Sequence, residues 1–399
     1  MHATQLLDTH LRKHCQGVHS KRMEAIQSAT KALMIGKKLS VTGLGRAICN
    51  TVKTKHNIKR MDRLAGNAAL NQDRYEINQA MAKLILGRQP RPVIIVDWSD
   101  LSADRKFHLL RASTPAGGRA LTLYEESHPQ RLEGNPHVHR RFIKRLKCIL
   151  PPNCQPIVIT DAGFRTPWFR AVLDMGWDYV GRVGGHTMLS PVGQDDWVRV
   201  EEIFETATRQ GRYLGEIDLV RNHPLACQAY LIQKKQQGRI KKTKFGQRCA
   251  MKHSKKNAQR ERTPWLLVTS LGRDIANTRQ VIHLYKTRMQ IEEAFRDIKN
   301  SRWGFSLKEA RCTTTYRYEN LLLIAQLAHF AVWLIGQIAE MKHWQCHFQA
   351  NTVRHEKVLS TFFLGLEIIK RGADNFLKQE FIEAIKSLRL QHNEVCDYA

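Results

Sequence analysis

Four residues at fixed gaps, Tyr285, Arg288, Glu292 and Lys299, carry the densest chemistry in this chain. Read as one helix at ~100° per residue, they fall inside an arc of roughly 60°. That face would present an aromatic hydroxyl, a guanidinium, a carboxylate and an ammonium, a set suited to binding metal ions and phosphates together. Two β-branched runs, Val93-Ile94-Ile95-Val96-Asp97 and Pro156-Ile157-Val158-Ile159-Thr160-Asp161, each end in an aspartate. Three carboxylates brought together repel one another unless a cation neutralises them. Mg²⁺ prefers carboxylate oxygens and keeps positions open for phosphate and water. Two such ions, with Mn²⁺ as a substitute, would activate a nucleophilic oxygen and stabilise the leaving oxygen of an in-line phosphoryl substitution. Asp97, Asp161 and Glu292 are therefore the candidate metal ligands and catalytic residues. Arg288 would hold a phosphate oxygen bidentately, Lys299 would act as a point charge on the backbone, and Tyr285 would donate to phosphate or pack a sugar.

The plainer alternative is a surface helix stitched by an Arg288–Glu292 pair at i, i+4. Neighbouring acids compete less well. Glu293 sits ~100° round the helix from Glu292, and Asp297 faces another side. Asp100 lies three residues beyond Asp97 and suits a local cap or pair.

Lys and Arg number 64 against 36 Asp and Glu, a formal net charge of +28 over 399 residues. Such an excess repels itself unless a polyanion is near, so double-stranded DNA is the expected partner rather than a membrane surface. Met1 to Lys13 lacks the apolar core of a signal peptide, and a cytoplasmic location, nucleoid-associated when DNA-bound, is expected. The apolar run Leu321–Ile338 contains Gln326, His329 and Gln337, which reads as a buried core helix. Nine scattered cysteines without a Cys-x-x-Cys pair fit reduced thiols. Cys346 with His347, or Cys249 with His253, lacks the second pair a zinc finger needs.

The supporting elements follow from periodicity and breakers. Residues 1–88 read as a helical DNA-binding domain, with helices expected over His19–Met34, Val41–Ile48 and Asn71–Leu86. Between them, Thr54–Leu64 surrounds an apolar stripe of Ile58, Met61 and Leu64 with cations, including Lys55, Lys59 and Arg60. It reads as a recognition helix or as a solvated charged one, and the whole-chain charge favours DNA. The breaker Gln89-Pro90-Arg91-Pro92 opens a catalytic core, residues 89–183. Strands are expected at Val93–Asp97, Phe107–Ala112 and Arg119–Glu125, then a helix at His137–Ile149, a strand at 156–161, a helix at Thr166–Met175 and a strand at Tyr179–Val183. That order is the one a ribonuclease-H-like α/β sheet requires, and by analogy with that fold the first and fourth strands lie side by side. Residues 184–274 read as a β insertion with strands at Leu214–Val220, Cys227–Gln233 and Trp265–Ser270. It carries a basic loop, Lys234–Arg262, either a solvated linker or a segment that orders on DNA. Residues 275–345 return to the core with helical pattern over Thr278–Arg302, and 346–399 form a C-terminal helical region with amphipathic segments at Val353–Arg371 and Phe376–Leu390.

These residues together resemble the DDE transposases of the insertion-sequence-four family and, within it, the insertion-sequence-ten type. The local marks are Thr-Lys-His-Asn-Ile-Lys-Arg at 54–60, Val-Asp-Trp-Ser-Asp at 96–100, Leu-Arg-Ala-Ser at 110–113, Thr-Leu-Tyr-Glu at 122–125, Asp-Ala-Gly-Phe at 161–164, Arg-Met-Gln-Ile-Glu-Glu at 288–293 and Phe-Gln-Ala-Asn-Thr-Val-Arg at 348–354. The family signature, Tyr, two residues, Arg, three residues, Glu, six residues, Lys, is met without departure. The resemblance implies cut-and-paste transposition by a homodimer on paired terminal inverted repeats. Water nicks one strand, the freed 3′-hydroxyl closes a hairpin, the hairpin is hydrolysed, and the 3′-ends join target DNA. It also implies a tryptophan platform for an unstacked base, a place that Trp265 matches; a Trp buried in the insertion is the alternative. Trp98 and Trp168 read as packing or DNA-contacting aromatics. The sequence leaves two rivals: a nuclease of the same fold that cuts without joining, and a DNA-binding regulator with an idle site.

Overall fold

The computed structural model describes residues 1–234, 263–350, 352–353 and 357–397. The chain divides into two compact units, Met1–Pro156 with Thr287–Asp397, and Ile157–Lys286.

The first unit opens with five helices, α1 (Ala3–His14), α2 (Ser20–Gly36), α3 (Val41–Ala47), α4 (Thr54–Ala65) and α5 (Ala68–Leu86). α1 escaped the periodicity reading, although it buries Ala3, Leu7 and Leu11 at helical spacing. α3 is N-capped by Ser40, whose hydroxyl accepts from Gly43 N. α3 and α4 cross closely because Gly45 has no side chain; a Cβ there would lie 2.5 Å from Ile58 Cα.

Three antiparallel strands follow, β1 (Val93–Asp100), β2 (Phe107–Ala116) and β3 (Arg119–Pro129). Gly117 and Gly118, both at positive φ (60° and 91°), make the two-residue turn between β2 and β3. Gln290 Oε1 braces it by accepting from Ala116 N at 3.0 Å and Gly118 N at 3.1 Å. α6 (Pro136–Ile149) starts on Asn135, whose side chain accepts from His137 N and Val138 N, and it buries Val138, Phe142, Ile143 and Leu146.

The C-terminal part of this unit holds α9 (Met289–Lys299), α10 (Thr315–Met341), α11 (Thr361–Lys370) and α12 (Lys378–Asp397). α10 is long and apolar enough to span a membrane, yet its whole apolar window is buried inside the fold. Its polar groups are spent on neighbours: Gln326 donates to Thr122 O at 3.1 Å, Trp333 Nε1 to Ala116 O at 3.3 Å, and Asn320 to Ala65 O at 3.1 Å. That is the core helix expected from the polar residues inside the run. α10 and α11 touch backbone to backbone, since a Cβ on Gly336 or Gly365 would lie within 2.0 Å of a carbonyl oxygen.

The second unit is a twisted sheet in the order β4-β5-β10-β9-β8-β6-β7. β4 (Ile157–Thr160) and β5 (Asp178–Val183) are parallel, joined by α7 (Thr166–Leu173). β10 (Trp265–Thr269), β9 (Leu225–Ile232), β8 (Arg212–Leu219), β6 (Met188–Pro191) and β7 (Val198–Arg199) continue it antiparallel. The short β6 and β7 carry too few residues for a period-two signal and were not expected from sequence. α8 (Thr278–Lys286) ends the unit. Apart from Lys234, the basic loop Lys234–Arg262 lies outside the described residues, as do Cys249 with His253 and Asn351 and Arg354 of the 348–354 motif.

Candidate active site

Two sequence expectations about the site need correction. β1 does not stop at Asp97. It runs on to Asp100, because Trp98 and Ser99 pair across to Leu110 and Leu109 on β2. Asp97 therefore sits within the strand, opposite Arg111. The signature also does not lie on one helix. The helical ladder expected over Thr278–Arg302 breaks at Thr287 and Arg288, where i→i+3 bonds (Gln290 N to Thr287 O, Ile291 N to Arg288 O) replace i→i+4 bonds. Tyr285 belongs to α8, Arg288 caps α9, and Glu292 and Lys299 belong to α9.

In the first unit, α9 packs on β1, β2 and β3. The Arg288 guanidinium spans two carboxylates, donating to Asp97 Oδ2 at 3.3 Å and Glu292 Oε1 at 2.6 Å. Asp97 is nearly buried and also accepts from Trp98 N at 2.8 Å. Glu292 lies in the first turn of α9, where the helix dipole favours a negative charge. Lys299, seven residues on, donates to Ser99 Oγ at 2.5 Å. Burial, then the charge of Arg111, pushes the Lys299 ammonium down to about 8.

Beneath this face lies a buried ion pair that the sequence reading did not single out. Arg111 on β2 meets Glu125 on β3 at 2.6 Å, both almost without solvent contact. Phe295 lies between two cations, with Arg111 Cζ 4.9 Å and Lys299 Nζ 5.2 Å from its ring centroid. Pairing of Arg111 with Glu125 across strands shows only once the register of β2 and β3 is known.

The rival acids are engaged elsewhere. Glu293 pairs with Arg296 at 2.5 Å, Asp297 with Arg119 at 2.6 Å, and Asp100 with Arg105 at 3.4 Å and His108 at 3.6 Å. Trp98 donates from Nε1 to His139 Nε2 at 3.0 Å. Burial, with His128 adding to it, pushes His139 down to about 4, so the ring is a neutral acceptor at ordinary pH.

In the second unit, Asp161 follows directly on β4. Its Oδ1 accepts from Gly163 N at 2.8 Å, and its carbonyl accepts from Phe164 N at 3.2 Å. This is a local turn that the segment Asp-Ala-Gly-Phe builds by itself. Trp265 opens β10 half-buried, edge-on to Tyr285 at 5.0 Å between ring centroids, with Arg182 Cζ at 6.0 Å and Lys234 Nζ at 5.2 Å from its ring. Tyr285 itself is buried. Trp168 is fully buried and packs on Phe164.

On α4, Lys55 and Lys59 are exposed, whereas Arg60 turns inward and donates to Ser28 Oγ at 3.2 Å. Met61 and Leu64 are buried beneath them.

Among the described residues no three His, Cys, Asp or Glu side chains lie close enough to hold a metal ion. The pair that the first unit supplies still fits one: two carboxylates, from a strand and a helix, already converge on a single cationic group. Arg288 stands where a hard cation would be welcome.

No curated protein matches the chain. Residues 88–330 match the family model of the transposase DDE domain, more than half of the chain, and the match takes in Asp97, Asp161 and Glu292. The chain belongs to the transposase DDE domain family, whose members are metal-dependent nucleases and strand transferases acting on DNA.

Proposed function

We propose that this protein is a cut-and-paste transposase of the insertion-sequence-four family, of the insertion-sequence-ten type. In this reading a helical DNA-binding domain (1–88) precedes a ribonuclease-H-like core (89–183 and 275–345) interrupted by a β insertion (184–274), and a helical region (346–399) follows. The order of three antiparallel strands, a helix, a strand, a helix and a parallel strand supports it, since that is the element order such a core requires. Asp97, Asp161 and Glu292 are then the DDE residues, working in the cytoplasm on the nucleoid.

The single observation that carries the reading is the Arg288 guanidinium shared by Asp97 and Glu292. It marks a place where the fold invests two negative charges against one positive charge. Mg²⁺, two ions in this reading, supplies Lewis-acid activation of the attacking oxygen and charge neutralisation at the leaving oxygen. The chain's own residues do the rest. Arg288, released from the carboxylates, holds a non-bridging phosphate oxygen. Lys299, aimed by Ser99, holds a neighbouring phosphate. Trp265 receives a base unstacked when the hairpin closes, with Arg182 and Lys234 beside its ring to hold the backbone. Lys55 and Lys59 reach DNA from α4, and Arg60 orients that helix. Each step is the same substitution: an O–P bond forms with water or a 3′-hydroxyl, the opposite P–O bond breaks, and the proton of the nucleophile ends on solvent or the leaving oxygen. A homodimer on paired inverted repeats then joins both 3′-ends to target DNA.

A strand-transfer assay with labelled repeat ends, a target plasmid and Mg²⁺ tests this. Joined product supports it; cut ends alone indicate a nuclease; binding without cleavage indicates a regulator.

A further inference from the structure

A second cationic surface lies on the first unit, on the outer face of α6. His137, Arg140, Arg141 and Lys144 fall within roughly 100° of one another around the helix axis, opposite the buried Phe142 and Leu146. All four are exposed. The helix Pro136–Ile149 contains no Asp or Glu at all. A solvated helix ordinarily intersperses both signs to gain i, i+4 pairs; this one forgoes every such pair.

The fold also holds part of this face rigid. Buried Glu126, on β3, accepts from Arg145 Nη1 at 2.9 Å and lies 3.7 Å from Arg141 Nη2. Burial raises the Glu126 carboxyl, but hydrogen bonds from His128, Tyr124 and Arg145 outweigh this and hold it at about 2. The anchor is charged at any working pH. Arg145 in turn lies over the exposed ring of Tyr75, Cζ to centroid 5.8 Å. Arg140 and Lys144 meet no carboxylate among the described residues. The result is an ordered base of Arg141, Arg145 and Tyr75 with two unpaired cations in front. His137 to Lys144 spans ~10 Å of helix, matching about three phosphates of one DNA strand.

We propose that the outer face of α6 is a sequence-independent binding surface for the sugar–phosphate backbone of duplex DNA. The proposal goes beyond the assigned site and rests on DNA being this enzyme's substrate. Backbone contact is the chemistry offered, because the face carries point charges and guanidinium forks that pair with phosphate oxygens whatever the base.

The test compares wild type, Arg140→Gln/Lys144→Gln and Arg140→Glu/Lys144→Glu by fluorescence anisotropy on two 30-base-pair duplexes of unrelated sequence, across a salt series. The glutamine variant should bind both duplexes about tenfold more weakly at 0.1 M salt, with a log–log salt slope shallower by about 2, and the glutamate variant more weakly still. Thermal midpoints should match wild type, because both side chains are exposed. Equal affinity and slope in all three proteins would overturn the proposal, as would a loss confined to one duplex or one tracking a fall in thermal midpoint. A wild type that binds neither duplex would overturn the DNA reading itself.

Discussion

Asp97 and Asp161 both belong to β-branched runs, yet the fold holds them by different means. Asp97 is nearly buried within β1, opposite Arg111, and its charge is met by Arg288, 191 residues away. Asp161 is half-buried just past β4, and its side chain is held by the backbone N–H of Gly163, two residues on. One carboxylate is positioned by tertiary structure and a counterion, the other by its own turn. In the proposed mechanism a cation at Asp97 takes the place of Arg288, which then turns to phosphate.

The largest effects should come from the carboxylates. Asp97→Ala, Asp161→Ala and Glu292→Ala should each abolish nicking in Mg²⁺ while DNA binding persists, measured by gel assays of cleavage and of retardation. Retained cleavage would remove that residue from the site.

Removing the counterion should have the next largest effect. Arg288→Gln leaves Asp97 and Glu292 facing each other. Loss of one partner from a buried pair costs ~3–5 kcal/mol; Glu292 is partly exposed, so solvent screening reduces this to about 2 kcal/mol. Mg²⁺ should recover more of the thermal midpoint in this variant than in wild type. Equal midpoints without metal would show that the two carboxylates do not share that cation.

How much of this could be read from sequence depends on how each residue is held. The place of Asp161 just past β4 was legible because the β-branched run that ends there is continuous in the chain. The strands β1 to β5 and helices α2 to α7 followed from runs and breakers that act locally. Glu292 and Lys299 were legible through their gap, which the intact α9 preserves. Tyr285 was misplaced because no Gly or Pro announces the break at Thr287 and Arg288. The Arg111–Glu125 pair, the Ser99 partner of Lys299 and the Gln290 brace on the Gly117-Gly118 turn all join segments distant in sequence, so they needed the register of the sheet.

A smaller effect is expected from pH. The folded-state pKa of Lys299 is depressed to about 8, so the folded protein gives up that proton before the unfolded chain does. The lysine costs stability at low pH, and the cost fades as pH rises from about 8 towards 10.5. Its grip on phosphate moves the opposite way: DNA affinity should fall between pH 7 and 9. Lys299→Arg should hold its affinity across that window, since a guanidinium keeps its charge. The same fall in both proteins would assign the titration elsewhere.

The smallest and most selective effect is expected in the second unit. Trp265→Ala should slow hairpin closure more than the first nick, followed by denaturing gels over time. Equal slowing of both steps would point to its edge-on contact with Tyr285 as a packing role.

In the proposed mechanism Asp97, Asp161 and Glu292 hold divalent ions once DNA is bound. Mn²⁺ titration of the DNA complex, followed by electron paramagnetic resonance, reads this most directly. Wild type should bind Mn²⁺ tightly, and Asp97→Asn, Asp161→Asn and Glu292→Gln should each lose that binding. Undiminished binding in the Asp161→Asn complex would contradict it.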